Sequence, residues 1–347
     1  MPFDDYSYFV ELYSPQGSTL GRAPIVVDWE PAREWTVFSA LREGRHSSLP
    51  ALGATLVHPR WHEELGEPYM AGFRVAVENN GGAEFCVDFH NAYFKKLAEA
   101  ASLQLVEQGT MSLGDSFLYS VLACRSPQAE RREEAAARTA REIPPHLPIE
   151  SDDMAGYLRL AVPFNSPTDG DIPVFVPQQV LAEIAALSRE AGPTESGGVL
   201  IGHLHRDSSG GGIFLVVTAQ IPARHSLAGA ASLTFTAESW SAARDAIRLR
   251  GAEEIMVGWF HSHPVRDWCK KCPAEKRTNC TTFESYFSPQ DEALHRTVFS
   301  RAWCVALLVS EMPERSAAIS LFGWREGLIE SRGFHAIDES ALAAEVE

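Results

Sequence analysis

Two histidines one residue apart, His261 and His263, end an apolar run, and three cysteines, Cys269, Cys272 and Cys280, follow them in the stretch GWFHSHPVRDWCKKCPAEKRTNC. In an extended chain the side chains at i and i+2 point to the same side, so His261-Ser262-His263 aims both imidazoles at one point. Neutral imidazole is a good zinc ligand, and a catalytic zinc takes three protein ligands and leaves a fourth position for water. Asp291 is an economical third ligand. It lies near the start of a predicted helix, with Ser288 three residues earlier on the same face. Water acidified by a metal needs a base, and Glu195, just ahead of Gly197 and Gly198 at the entry to a strand, is a carboxylate suited to that task.

The cysteines form CxxC followed by a third Cys, a spacing that lets three thiolates reach one ion within a short loop. The expectation is a second, structural zinc on Cys269, Cys272 and Cys280, whose fourth ligand is not evident. Unliganded thiols and a redox pair are the alternatives, the latter without its usual strand-to-helix setting. A nucleobase-deaminase signature fails, because HSH stands where HxE is required and Trp268 precedes Cys269 where a proline is required. One mixed site is disfavoured because added thiolates would close the position that water needs. His203 and His205 form another HxH, but they flank a polar turn and read as solvated loop residues, with a reserve role as the missing fourth ligand. Cys86, Cys124 and Cys304 lie in apolar runs and read as small buried hydrophobes.

The elements that must position these residues are legible from periodicity. Strands are predicted at 172–177, 197–204, 213–221, 255–260, 303–310 and 317–324, with His261 at the end of the fourth. Helices are predicted at 178–192, where Val180, Leu181, Ile184 and Leu187 share a face, at 238–250, and at 288–299 with Ser288 as cap and Pro289 in the first turn. Upstream, 73–78, 84–89 and 116–124 read as strands and 91–101 as a helix, an α+β unit. The charged, Ala-rich segment 127–148, stopped by Pro144-Pro145, reads as a solvated helical linker. Two domains follow, 1–150 and 155–347.

Glu195, His261-Ser262-His263-Pro264 and Ser288-x-x-Asp291 stand in the order of the JAMM (MPN-plus) zinc isopeptidase motif, and "TESGGVLIGH" and "VGWFHSHP" resemble that family's two motif-bearing strands. The resemblance covers about residues 172–330. It implies an α/β (α+β) fold, a mixed sheet flanked by helices like that of cytidine deaminases. It also implies cleavage after the C-terminus of ubiquitin or a ubiquitin-like protein, either deconjugation or removal of a precursor extension. Carried over by motif position, His261, His263 and Asp291 bind zinc, Glu195 carries the proton, and Ser288 helps to stabilise the oxyanion. Pro264 turns the chain off the strand. Family members commonly place about seven residues between that proline and the motif serine, whereas residues 265–287 intervene here. Segment 222–236 occupies the place of the loop against which the family adds the substrate's tail as a strand, and its Ala/Gly/Ser content suits a loop that orders on binding. Residues 1–150 carry no such resemblance and are expected to bind a substrate or partner.

Composition bounds the rest. The chain has 347 residues, 45% hydrophobic and 22% charged, a globular mixture. A net charge of -16 opposes a phosphate backbone and excludes nucleic acid as the main partner. No stretch approaches the roughly 18 apolar residues of a membrane helix, and the first residues lack a signal-peptide pattern. Six cysteines are too sparse for a disulfide scaffold. The expected setting is the cytoplasm, and abundant Ala, Arg and Gly point to a GC-rich bacterial genome. The expected partners are a ubiquitin-like protein or its conjugates, with E1-like or E2-like proteins of the same pathway. A non-catalytic MPN scaffold with structural zinc is the alternative.

Overall fold

The computed structural model describes residues 6–78, 84–125, 147–224, 226–229, 233–278, 283–313 and 316–338. The chain divides into two units, Met1–His146 and Leu147–Glu347. In the first, strands β1 (Tyr6–Tyr13), β2 (Thr19–Ile25), β3 (Thr55–Trp61), β4 (Tyr69–Glu78), β5 (Glu84–His90) and β6 (Leu118–Arg125) form one antiparallel sheet with helices α1 (Glu30–Arg42) and α2 (Lys95–Glu107). Alternation along β1 buries Tyr8, Val10 and Leu12. Helix α1 escapes a periodicity reading because Ala32, Trp35, Val37, Phe38 and Leu41 are buried around most of its circumference, leaving no polar stripe. Cys86 and Cys124 are half-buried and not the core residues expected: Cys86 lies on β5, which pairs with β4, and Cys124 stands next to the end of β6; Cys304 is buried. The linker helix expected at 127–148 falls, as far as residue 146, outside the described residues.

The second unit opens with β7 (Ile149–Asp152), α3 (Met154–Arg159) and β8 (Ala161–Phe164), followed by β9 (Val174–Pro177), α4 (Gln178–Ala191), β10 (Gly197–Asp207) and β11 (Ile213–Pro222). A small hairpin, β12 (Leu227–Ala228) with β13 (Leu233–Thr234), leads to α5 (Ala237–Arg250) and β14 (Ile255–His263). Then come α6 (Val265–Trp268), α7 (Ala274–Thr278), α8 (Pro289–Val298), β15 (Val305–Ser310), β16 (Ala318–Arg325), β17 (Leu328–Arg332) and β18 (Phe334–Ile337). Ten strands make one mixed sheet in the order β17-β16-β15-β14-β10-β11-β9-β18-β8, with β7 also on β10. β14 lies at its centre, antiparallel to β10 and parallel to β15. A parallel neighbour requires a crossover, and α6, α7 and α8 are that crossover, which is why Ser288 and Asp291 return to the histidines.

Three expectations are corrected. β7 pairs with β10 and the Met154 amide donates to Asp207 Oδ1, so the unit begins at Leu147 and not at 155. His261 to His263 belong to β14 itself, because the strand continues to pair with β15 through His263↔Ser310. His203 and His205 are strand residues of β10, and His205 is buried against Phe214 with ring centroids 5.2 Å apart. Segment 222–236 contains the β12–β13 hairpin, although residues 225 and 230–232 lie outside the described residues. Among the described residues no helix is long and apolar enough to cross a membrane.

Candidate metal centre and cleft

His261 and His263 lie on one side of β14 and are buried, with 0% and 2% exposure. Their Nε2 atoms stand 3.1 Å apart. Ser262 points the other way and ties the strand to the start of β10: Ser196 N donates to Ser262 Oγ at 2.9 Å and Ser262 N to Ser196 O at 2.8 Å. Asp291 comes from the first turn of α8. The Ser288 amide donates to Asp291 Oδ2 at 2.8 Å and the Asp291 amide to Ser288 Oγ at 3.1 Å, a reciprocal capping box that fixes the carboxylate's rotamer. Asp291 Oδ1 is 3.2 Å from His261 Nε2 and Oδ2 is 3.5 Å from His263 Nε2.

Burial lowers the pKa of His261, which favours the neutral form that a metal ligand requires. Burial by itself would raise Asp291, but hydrogen bonds from the two imidazoles and from Ser288 outweigh it and hold the carboxyl well below the usual carboxylate range. The donor set is therefore two imidazole nitrogens and one carboxylate oxygen, all within 4.8 Å of one another. Tetrahedral zinc at ordinary Zn–N lengths needs its two nitrogens about 3.3 Å apart, so the observed pair fits that ion.

Glu195 reaches the same place from the entry to β10. Its amide donates to Gly229 O at 2.8 Å, its side chain is 5% exposed, and Oε1 lies 4.0 Å from His263 Nε2. Burial, reinforced by the charge of Asp291, pushes its carboxyl up to about 8. A carboxyl placed beside the ligand histidines is positioned to accept and to return a proton. Over these groups opens a cleft of ≈ 630 Å³ whose lining includes Glu195, His263, Ser288 and Asp291.

Residues 177–266 match a family model described as prokaryotic homologs of the JAB domain. The C-terminal half of this chain carries a prokaryotic-type JAB domain. Glu195, His261 and His263 lie within the matched residues of the JAB domain, while Ser288 and Asp291 lie beyond them and are brought to the histidines by the crossover through α8. No curated protein matches the chain. A solution structure of a protein from Desulfitobacterium hafniense aligns with 46% of this chain and 88% of that chain at 19% identity and a TM-score of 0.32, too low a score to carry an argument.

Two parts of the JAB domain were not read from the sequence. His295, one helical turn after Asp291 on α8, is fully buried and accepts a 3.1 Å hydrogen bond at Nδ1 from Trp259 Nε1. Trp259 in turn stacks on the ring of His261, centroids 4.5 Å apart and 14° from parallel. The i, i+4 spacing from Asp291 was the available signal. The long insertion after Pro264 also has its own apolar anchor, since Val265, Cys269 and Met312 form a buried cluster joined by Trp268 and Phe283. Cys269 is buried within it and Cys272 is exposed, while Cys280 lies outside the described residues. Among the described residues, His261, His263 and Asp291 alone bring three metal-binding side chains together.

Proposed function

We propose that the JAB domain is a zinc-dependent peptidase that cleaves the amide bond following the C-terminus of a ubiquitin-like protein, in a conjugate or a precursor. The observation that carries this reading is the convergence of two buried imidazoles and a capped carboxylate with a separate, protonatable carboxylate beside them in an open cleft. Zinc, when bound, supplies Lewis acidity that polarises a carbonyl and makes water a nucleophile at neutral pH. The protein's own groups do the rest. Glu195 removes a proton from the attacking water, the water oxygen bonds to the scissile carbonyl carbon, and the carbon–nitrogen bond breaks. Glu195 then returns the proton to the departing amine, so the products are one carboxylate and one amine. The Ser288 hydroxyl accepts from the Asp291 amide, which leaves its own hydrogen to donate to the oxyanion that forms on the carbonyl oxygen. The N-terminal unit is assigned to recognition, E1-like and E2-like proteins to its surroundings, and the cytoplasm to its setting.

The test separates proton transfer from metal binding. Glu195→Gln is expected to abolish cleavage of a ubiquitin-like conjugate and keep the zinc content of the wild type, because an amide cannot take the proton. His263→Ala and Asp291→Ala are expected to lose both zinc, measured by elemental analysis, and turnover. Near-native cleavage by Glu195→Gln, or full zinc in either ligand variant, would overturn the assignment.

A further inference from the structure

The spacing that places His261 and His263 on one side of β14 places Trp259 there as well, and the peptidase reading gives that indole no task. It is 1% exposed and lies on the face of the His261 ring, centroids 4.5 Å apart and 14° from parallel. The rings beside His263 are tilted instead, Trp268 at 46° from 4.9 Å and Tyr286 at 43° from 6.2 Å. A metal-bound imidazole is ordinarily held in register by a hydrogen bond from its second ring nitrogen to a carboxylate, a carbonyl or water. The Nε2 atoms of His261 and His263 face each other and Asp291, which leaves Nδ1 as the second nitrogen. Among the described residues, both Nδ1 atoms are buried without a hydrogen-bond partner. The outer torsion of a histidine side chain has broad minima, so an imidazole without that bond keeps its angle only if something packs on its face. On His261 that something is the indole.

Trp259 is itself tied down. Its Nε1 donates to His295 Nδ1 at 3.1 Å, Phe299 lies nearly parallel to it at 12° and 6.2 Å, and Phe235 meets it edge-on at 80° and 6.2 Å. An indole N–H can only donate, so His295 Nδ1 is the acceptor, and that role needs a neutral ring. Burial supplies it, lowering the pKa of His295 to about 3. Trp324 packs against the same imidazole with centroids 5.5 Å apart. Helix α8 therefore reaches His261 twice: at its Nε2 edge through Asp291, and at its face through His295 and Trp259.

We propose that Trp259 and His295 are positioning residues for the metal centre, holding the His261 imidazole in its ligating orientation by ring stacking where a hydrogen bond at Nδ1 would ordinarily do so. This rests on the zinc centre of the peptidase reading and not on cleavage. A ring already set at the ligating angle loses little freedom when the ion arrives, which is how preorganisation raises affinity. An imidazole that binds a cation also takes up part of its charge, and the face of an indole attracts positive charge most strongly where water is excluded. Both effects favour the bound metal. The histidine on α8 acts at a distance, through the indole alone, and its loss is felt at His261 only if Trp259 turns.

The test uses the full-length protein and follows the zinc that Asp291→Ala loses, with a competing chelator giving its dissociation constant. His295→Leu removes the acceptor and Trp259→Leu removes the ring. Each is expected to raise that constant about tenfold or more, the scale for outer partners of metal ligands. His295→Asn gives the indole an acceptor again and is expected to recover most of the affinity. In the zinc-free protein, the ring protons of His261, assigned by their loss in His261→Ala, are expected to lie upfield under the indole's ring current. That shift is expected to collapse in His295→Leu and to persist in His295→Asn. A lower urea midpoint in His295→Leu with wild-type zinc affinity and an unmoved His261 shift would leave the pair an ordinary core contact and overturn the proposal. Equal losses of affinity in the Leu and Asn variants of His295 would overturn it too. If Trp259→Leu does not fold, the two His295 variants decide. If the wild type holds no zinc at this centre, the metal reading fails and the zinc-free shifts alone decide the positioning: collapse in His295→Leu supports it, and an unchanged shift removes it.

Discussion

Gly197 contributes to the centre through what it lacks. A Cβ there would stand 2.3 Å from Leu233 Cδ2 and 2.7 Å from the carbonyl oxygen of Phe260. The leucine end can yield, but Phe260 is held by the β10–β14 ladder through Gly198↔Phe260 and cannot withdraw without disturbing His261 next to it. The small residue lets Glu195 enter close beside β14, so the Glu-Ser-Gly-Gly sequence places a carboxylate as much by shape as by charge. Gly197→Ala is expected to cost about 1–3 kcal/mol in urea unfolding, the scale of overpacking, and to reduce turnover while Glu195 itself is intact. Wild-type stability and turnover in that variant would show that the close approach is relaxed elsewhere.

Helix α8 carries both a candidate ligand held ionised, Asp291, and a buried neutral base, His295. Burial lowers the pKa of His295 from 6.5 to about 3. The unfolded chain takes up a proton below pH 6.5 that the folded chain refuses until about 3, so this group's stabilisation is complete above 6.5 and is lost as the pH falls through that window. The slope is up to about 1.4 kcal/mol per pH unit. His295→Asn keeps an acceptor for Trp259 but cannot ionise. Urea midpoints at pH 7.5 and 5.0 are expected to fall less in the variant than in the wild type, and an equal fall would remove His295 from the acid response. The crossover also carries the three cysteines, Cys269, Cys272 and Cys280, proposed to hold a second zinc, of which Cys280 lies outside the described residues. Elemental analysis is expected to give about two zinc ions per chain, and about one in a Cys269→Ser/Cys272→Ser double variant. A single zinc unaffected by that change would leave those cysteines as ordinary thiols, with the Val265–Cys269–Met312 cluster as what orders residues 265–278.

At the scale of the whole molecule, the boundary between the units decides which fragment is self-sufficient. β7 pairs with β10 from Leu204↔Ile149 to Asp207↔Asp152, and Asp153 caps α3 through the amides of Ala155 and Gly156. A chain beginning at Leu147 keeps the strand and the cap; one beginning at 155 loses both. The longer fragment is expected to unfold cooperatively, and the shorter to melt several degrees lower, since a cap alone contributes about 1 kcal/mol and each such increment moves Tm by about 2–4 °C in a domain of this size. Equal melting temperatures would mean that β7 is dispensable. The longer fragment is also expected to keep its zinc and attack a generic substrate while binding its cognate partner more weakly than the full chain does.

The sequence by itself determined which residues are the candidate donors and most of the elements that carry them. A strand repeats every two residues and a helix every three to four, so His261 with His263, and Ser288 with Asp291, announce a shared face without any knowledge of tertiary contacts. Helices α4, α5 and α8 and strands β9, β10, β11, β14, β15 and β16 were legible for the same reason, each having one buried face or a continuous apolar run. Short strands such as β7 and β8, and the edge strand β17, were not, because they owe their pairing to neighbours far along the chain and carry little pattern of their own. Only the tertiary structure decided that Asp291 meets His261 at 3.2 Å, that His295 holds Trp259 beneath that imidazole, and that Trp268 stands beside His263. Those contacts depend on a parallel crossover whose path no local periodicity encodes, and burial, which tunes Glu195 and His295, is a property of everything packed around a residue and not of the residue itself.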